Sequence, residues 1–225
     1  MRPANPSERS IVADSIGVGV ATGLYGISYG VIATTSGLSV WQACVTSLLV
    51  FTGGSQFAFV GVVGAGGNPV TGGLTAILLG SRNMFYGLSL TPKLRLGRRQ
   101  RLAAAQIVID ESTAMAVTRE TTREARLGFF WTGLAVFALW NLFTLVGAVA
   151  GERLGDPRTY GLDAAVGAAF LGLLWPRLTS WFARAIAVVA AGAALALVPF
   201  TAAGVPIMAG GAVAVALGLV WGGRR

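Results

Sequence analysis

Long apolar segments, separated by short links that carry most of the charged residues, follow one another along the chain. A helix needs about 20 apolar residues to cross the hydrocarbon core of a bilayer. Only 12% of the residues are charged, roughly half the share of a soluble domain, and so few cannot coat a water-facing surface. The sequence therefore predicts an all-α polytopic membrane protein. The candidate spans are 11–34, 40–63, 69–90, 102–118, 127–150, 162–175, 183–200 and 205–221.

The basic excess, a formal net charge of +8, lies in the links, which is typical of loops that face an anionic membrane surface. Nucleic-acid binding is not expected, because the basic residues form no single face. The chain has no histidine, which excludes histidine zinc sites, Ser-His-Asp hydrolysis and histidine proton relays. It also lacks a Walker A phosphate loop. We therefore expect no enzyme activity, no catalytic residue, no metal and no cofactor.

The orientation follows from the basic links. Five basic residues within 93–101 predict a cytoplasmic link after the third segment, and the C-terminal arginines predict the same for that end. Segment 102–118 is the weakest span, since Asp110 and Glu111 stand side by side in it and basic links flank it. Either this segment is re-entrant or interfacial, or one basic link lies outside. Seven crossings with the N-terminus outside are the first prediction, and eight are the alternative.

Glycines occur repeatedly in the first three segments. In the first segment, Gly19, Gly23, Gly26 and Gly30 recur at helical spacing, which favours close packing against another helix. We expect a single transmembrane domain over 1–225. Its glycine-rich half at 11–118 contains interrupted helices, and its half at 127–222 is more regular.

The second segment contains Gly53-Gly54-Ser55-Gln56 at mid-span. A double glycine lowers helix propensity, and the polar side chains that follow need partners that lipid cannot supply. We predict that the helix is interrupted here, with backbone groups facing a cavity. The alternative is a continuous helix that packs these residues against its neighbours.

Arg82 lies inside the third segment, where an unpaired charge is costly. Asp110 and Glu111 are the expected partners. On a single helix Gln106, Asp110 and Thr113 would form one polar stripe. The alternative is an interfacial amphipathic helix whose acidic residues lie among the headgroups.

Six short stretches occur in order along the chain: 23–30, 36–39, 51–57, 81–90, 110–111 and 161–163. This ordered set resembles the AzlC/BrnF-type large subunit of the branched-chain amino acid exporters, and the resemblance covers 11–163. One position departs from the family. A histidine often follows the arginine of the third segment, whereas Asn83 and Met84 follow Arg82 here.

The resemblance implies a secondary transporter that exports branched-chain amino acids, with methionine as a further candidate, across the cytoplasmic (inner) membrane of a bacterium. It also implies a small hydrophobic AzlD/BrnE-like partner subunit, in addition to membrane lipid. The rival functions are a channel or permease for another small solute and a membrane assembly subunit that transports nothing.

A zwitterion with an aliphatic tail needs a carboxylate site, an ammonium site and an apolar pocket. Backbone N–H groups freed by the break would bind the carboxylate. Either the glutamine or carbonyl groups freed by the break would bind the ammonium, and phenylalanines would line the pocket. The expected substrate-binding residues are Gly53, Gly54, Ser55, Gln56, Phe57 and Phe85.

Four ionisable residues are expected to couple ions or to serve as structural charges: Arg82, Asp110, Glu111 and Asp163. Because the chain has no histidine, Asp110 or Glu111 is the candidate proton carrier. For Asp163, which opens a candidate span, the alternative is a favourable interaction with the positive end of a helix dipole.

Overall fold

The computed structural model describes residues 6–154, 171–172, 174–175 and 178–222, and within these residues the chain contains helices and no strand. The helices are α1 (Pro6–Thr35), α2 (Val40–Leu49), α3 (Gly53–Gly64), α4 (Pro69–Gly80), α5 (Arg82–Leu94), α6 (Arg98–Ala105), α7 (Asp110–Val117), α8 (Thr122–Arg153), α9 (Trp181–Leu197) and α10 (Val205–Gly222). A 3₁₀ turn, Val198–Phe200, follows α9.

Three of the described helices are long and apolar enough to cross a membrane. They cover Glu8–Thr35, Thr122–Arg153 and Trp181–Phe200. The prediction of an all-α membrane protein is therefore confirmed. Most of the candidate span 162–175, with Asp163, lies outside the described residues, so the number of crossings stays a prediction.

The second candidate span is interrupted, which confirms the predicted break, but the position predicted for it, 53–56, is wrong because these residues are helical. Helix α2 ends at Leu49, and α3 begins at Gly53. The non-helical residues are 50–52, so the break lies just before the double glycine. Gly53 and the three residues after it form the first turn of α3, and their N–H groups are those that lack a partner within the helix.

The third and fourth candidate spans are also discontinuous. Ser81 separates α4 from α5, so Arg82 is the first residue of a helix. In 98–117 two eight-residue helices, α6 and α7, flank a turn at 106–109. Each is about 12 Å long and cannot cross a hydrocarbon core of about 30 Å. The expectation of one helix over 102–118 is wrong, and so is the stripe that joined Gln106 to α7.

The helices form two compact units, which are described separately. The first unit comprises the described residues of Met1–Thr34, Leu38–Gly53 and Gly80–Gly155. The second comprises the described residues of Thr35–Gly37, Gly54–Leu79 and Asp156–Arg225. The single domain expected over 1–225 stays a prediction.

In the first unit, α1 and α8 run side by side in the same direction through a stripe of glycines. A Cβ atom added at Gly19 or Gly23 would lie 2.6 Å from the Cβ of Ala135 or Leu139. Further along, Gly147 of α8 lies directly against the backbone of Ile27. Side chains at these glycines would push the helices apart, so the prediction of close packing is confirmed.

Hydrogen bonds between helices accompany this packing. Thr132 Oγ1 of α8 donates to Ser15 Oγ of α1 over 2.9 Å. Tyr29 Oη of α1 and Thr46 Oγ1 of α2 share a hydrogen bond of 2.7 Å. All except Thr46 among these four residues are completely buried, so the polar groups of the unit are satisfied within it.

The basic links and the start of α1 lie at one end of the first unit. Arg123, at the start of α8, forms a 2.6 Å ion pair with Glu8 of α1. Arg126 Nε donates to Leu94 O, at the end of α5, over 2.7 Å, and Lys93 Nζ donates to Val117 O over 2.6 Å. The segment formed by α6 and α7 therefore leaves this end and returns to it.

This arrangement favours the re-entrant alternative for 98–117 and keeps both basic links on one side. It also revises the predicted orientation. If the link at 93–101 is cytoplasmic, the start of α1 is cytoplasmic too, and not outside as the first prediction had it.

In the second unit, α3 packs against α4 and α9 packs against α10. Ser55 Oγ donates to Ala76 O over 2.7 Å, and this bond joins the first turn of α3 to α4. A Cβ atom at Gly72 of α4 would lie 3.1 Å from the Phe59 ring of α3. The two helices therefore form an antiparallel hairpin, in which later residues of one contact earlier residues of the other.

Candidate functional site

Two of the helix breaks meet in the first unit. Gln106, at the tip of the segment that contains α6 and α7, donates from Nε2 to Leu48 O over 2.8 Å. Leu48 is in the last turn of α2, where carbonyl groups have no partner within the helix. The glutamine side chain supplies that partner, so the tip of one broken segment caps the broken end of another.

The third break joins the same region. Arg82, the first residue of α5, places Nη2 3.1 Å from Oδ2 of Asp110, the first residue of α7. The predicted pairing of Arg82 with an acidic residue is thus confirmed. The two side chains are 34% and 28% exposed in the isolated chain, so the ion pair links two helix starts without being fully enclosed.

Contacts with helix α8 show how far along that helix two of the breaks lie. Phe51, within the first break, packs edge-on against Phe137 with ring centroids 4.9 Å apart. Ile107, within the turn before α7, lies against Gly133, where an added Cβ would approach its side chain to 2.9 Å. Gly133 and Phe137 are one helical turn apart near the middle of α8, so both breaks lie at half its length.

Two helices begin at the ion pair, and their first turns place positive partial charge there. Helices α5 and α7 begin at Arg82 and Asp110, whose side chains are in contact. The first N–H groups of a helix point back beyond its start and carry the positive end of its dipole. Helix ends of this kind, in discontinuous helices, hold anionic groups of substrates in transporters.

The turn before α7 is held rigidly. Ser112 Oγ donates to Ile107 O over 2.6 Å and accepts from the Ile109 N–H over 3.1 Å. Ser112 is completely buried. These bonds fix the direction in which α7 starts and therefore the position of the Asp110 carboxylate.

The other residues of the predicted substrate site are distributed between the two units. Gly53 lies in the first unit, where an added Cβ would approach the Trp140 ring to 3.0 Å. Gly54, Ser55, Gln56 and Phe57 lie in the second unit, and all four are buried. The Ser55 hydroxyl is engaged by Ala76 O, so its hydrogen stays within the hairpin of α3 and α4.

Phe85 and the remaining acidic residues complete the set. Phe85 of α5 is 65% exposed in the chain, and its role in lining a pocket stays a prediction. Glu111 follows Asp110 in the first turn of α7 and is partly exposed. Asp163 lies outside the described residues. The structure thus brings Arg82 and Asp110 together, while the roles of all the predicted site residues stay predictions.

Sequence reasoning missed two features of this region. Gln106 was placed on the helix of Asp110, whereas it caps α2 instead. From the sequence, Asn83 has no predicted role and Thr113 only a place on a polar stripe, although Asn83 Oδ1 and Thr113 Oγ1 are buried polar atoms on α5 and α7. The sequence signal for Asn83 was its position directly after Arg82, where the resembling family often carries a histidine.

Comparison with known proteins gives a family match. A family model described as AzlC protein matches residues 17–154, which include α1 from Gly17 onward and all of α2 to α8. No solved structure matches the chain significantly.

Curated relatives match over a similar stretch. The chain is 26% identical over 149 residues to the branched-chain amino acid transport protein AzlC of Bacillus subtilis, covering 65% of this chain and 58% of that protein. It is 32% identical over 160 residues to an uncharacterized membrane protein of Archaeoglobus fulgidus, covering 70% of each. It is 27% identical over 164 residues to the inner membrane protein YgaZ of Escherichia coli, covering 70% of this chain and 66% of that protein.

Proposed function

The chain belongs to the AzlC family, and from that premise we propose that it is the large subunit of a secondary transporter that exports branched-chain amino acids across a bacterial inner membrane. The matched Bacillus subtilis relative is named for branched-chain amino acid transport, and the Escherichia coli relative for the inner membrane. The chain spans 58% to 70% of the length of these relatives. Methionine is a further proposed substrate, and a small hydrophobic AzlD/BrnE-like subunit is the proposed partner.

The observation that carries this proposal is the meeting of discontinuous helices halfway along α8. Unwound backbone at membrane depth is tolerated only where protein or a water-filled cavity covers it. A packing or assembly subunit has no need of three interruptions, each of which removes helical hydrogen bonds. A transporter uses such interruptions to direct helix ends at a substrate.

The start of α3, with its double glycine, is proposed to contact the substrate. The N–H groups of the two glycines lie in the first turn, where they lack helical acceptors, and glycine leaves the backbone uncovered. Phe57, which is 3% exposed, supplies apolar surface on the same helix for an aliphatic tail. Gln56 is almost fully buried and carries both a donor and an acceptor on its amide.

Proton coupling is proposed to run through the acidic residues at the start of α7. Asp110 is held beside Arg82 at 3.1 Å, so a proton taken up by this carboxylate would remove the ion pair that joins α5 to α7. Asp110→Asn keeps the shape of the side chain and removes the titrating group. In vesicles with an imposed pH gradient, this variant should lose gradient-driven transport and retain exchange of labelled for unlabelled substrate.

The function is tested by the flux of labelled leucine and valine in vesicles that contain the full chain, with its partner subunit when one is identified. Gly54→Leu fills the start of α3 and should abolish flux while the amount of assembled protein stays close to normal. Gly17→Leu is the matched control, because no atom lies within 4 Å of an added Cβ there. Loss of folded Gly54→Leu protein would instead favour packing as the role of this glycine.

Unrelated small solutes complete the test. Equal flux of leucine and of solutes without an amino-acid head group would favour a channel or general permease. No flux of any solute, with normal assembly, would favour an assembly subunit and contradict the proposal.

A further inference from the structure

Buried polar atoms without hydrogen bonds occur on α5 and α7, the two helices whose first residues form the ion pair. Among the residues that the structure describes, Arg82 Nε, Asn83 Oδ1 and Thr113 Oγ1 are buried and form no hydrogen bond. The side chain of Thr113 is itself more than nine-tenths buried, since the residue is 8% exposed. Buried polar atoms of native proteins are satisfied in the great majority of cases, so a cluster of exceptions needs a physical explanation.

These three residues belong to one small region. Arg82 and Asn83 are the first two residues of α5, and α5 packs against α7. Thr113 follows Asp110 by three positions on α7, so the two side chains share a face with Cβ atoms about 5–6 Å apart. The 3.1 Å contact between Arg82 and Asp110 brings the two helix starts together at this face.

The chemistry of the three atoms is complementary to a zwitterion. Arg82 Nε is a charged donor that can only donate, and a carboxylate is the acceptor that suits it best. Asn83 Oδ1 is an acceptor, and the Thr113 hydroxyl can accept as well. Two acceptors beside the Asp110 carboxylate suit an ammonium group, which has three protons to donate.

We propose that Arg82, Asn83 and Thr113, together with Asp110, bind the head group of an α-amino acid, with Arg82 Nε on its carboxylate and the oxygens of Asn83 and Thr113 on its ammonium. The assignment rests on the proposed transport function and deepens it. It places both the carboxylate and the ammonium on α5 and α7, instead of on the double glycine and Gln56, where the sequence predicts them. The aliphatic tail is recognised elsewhere.

Charge balance favours this ligand over a simple ion. Arg82 and Asp110 form a pair with no net charge, and a zwitterion also has none. Binding therefore moves no net charge into a partly desolvated site, where an isolated cation or anion would be penalised. The existing ion pair holds both charges in place before the substrate arrives, which lowers the ordering cost of binding.

Thr113→Val is the sharpest test, since it removes the hydroxyl and keeps the size and branching of the side chain. Replacing a hydroxyl that forms no hydrogen bond should leave the melting temperature of the protein unchanged or raise it. We expect the affinity for L-leucine to fall about 10- to 100-fold, as for loss of a hydrogen bond to a charged group. The measurement is calorimetric titration of the full chain in lipid nanodiscs.

Thr118→Val, at the residue directly after the same helix, is the matched control. The Thr118 hydroxyl donates to Ala114 O over 3.2 Å, so its loss should leave leucine affinity within about two-fold. Asn83→Leu is the second variant, used in case Thr113→Val fails to fold, and should weaken binding to a similar degree. Equal affinities for wild type, Thr113→Val and Asn83→Leu would overturn the assignment while leaving the proposed transport function intact.

Ligand analogues test the two halves of the head group. We expect 4-methylpentanoate, which is leucine without its amino group, and 3-methylbutylamine, which is leucine without its carboxylate, each to bind at least 10-fold more weakly than leucine. Equally tight binding of either analogue would contradict the assignment.

Binding of alanine but not of leucine, with the same sensitivity to Thr113→Val, would support the head-group site and contradict the branched-chain substrate. Absence of binding by every α-amino acid would overturn both.

Discussion

Gly26→Ala should destabilise the contact between α1 and α8 by a predictable amount. An added Cβ would lie 2.5 Å from Trp140 O and 3.1 Å from Thr144 N. Apolar carbon normally stays about 3.5 Å or more from heavy atoms, so α1 must move by about 1 Å. Both opposing atoms belong to the backbone of a helix and cannot rotate away. Overpacking of this kind costs about 1–3 kcal/mol.

Gly17→Ala isolates that packing cost. An added Cβ at Gly17 meets no atom within 4 Å, so this variant reports only the gain in helix propensity, about 1 kcal/mol. That gain is common to both variants and cancels in their difference. For a chain of 225 residues, 1 kcal/mol shifts the melting temperature by about 2–4 °C.

The assay is thermal unfolding of the full chain in detergent or nanodiscs, monitored by tryptophan fluorescence or by loss of the monodisperse peak. Gly26→Ala should melt several degrees below Gly17→Ala, and Gly17→Ala at or slightly above wild type. If Gly26→Ala melts with or above Gly17→Ala, the glycine stripe does not set the distance between α1 and α8, and the packing argument is refuted.

Three further results are expected. In a double-mutant cycle, the double variant Arg82→Ala with Asp110→Ala should lose less unfolding free energy than the two single variants lose in sum, with a coupling of about 0.5–3 kcal/mol. Additive losses would show that the ion pair does not stabilise the protein. Gln106→Leu should lower the melting temperature and raise hydrogen exchange at the end of α2, because a carbonyl in the last turn of the helix loses its donor; unchanged exchange there would show that the contact is unimportant. Cysteine introduced as Gly97→Cys, with Cys44→Ala, should resist an impermeant thiol reagent added outside intact cells, and ready labelling would place this link outside.

The sequence determines those features of the chain that depend on near neighbours. Repeated apolar segments with few charges determine an all-α membrane protein, because no other arrangement satisfies the backbone in lipid at such lengths. The stripe from Gly19 to Gly30 determines a face suited to close helix contact, and the double glycine at Gly53 determines a weak point in the second span. These properties follow from composition, spacing and local propensity, and the structure agrees with them.

The tertiary structure decided at which residues each helix is interrupted and which residues come into contact at the interruption. The break falls at 50–52 because Phe51 gains a partner in Phe137 and the end of α2 gains a donor from Gln106, 58 positions away. The turn at 106–109 could not be read from periodicity, since Gln106, Asp110 and Thr113 also fit one helical face. Contacts between distant residues offset the hydrogen bonds that an interrupted helix loses, and no local pattern records those contacts. The tendency of each segment to be interrupted is therefore present in its local sequence. The contacts that bring the interruptions together halfway along α8 exist only in the folded chain.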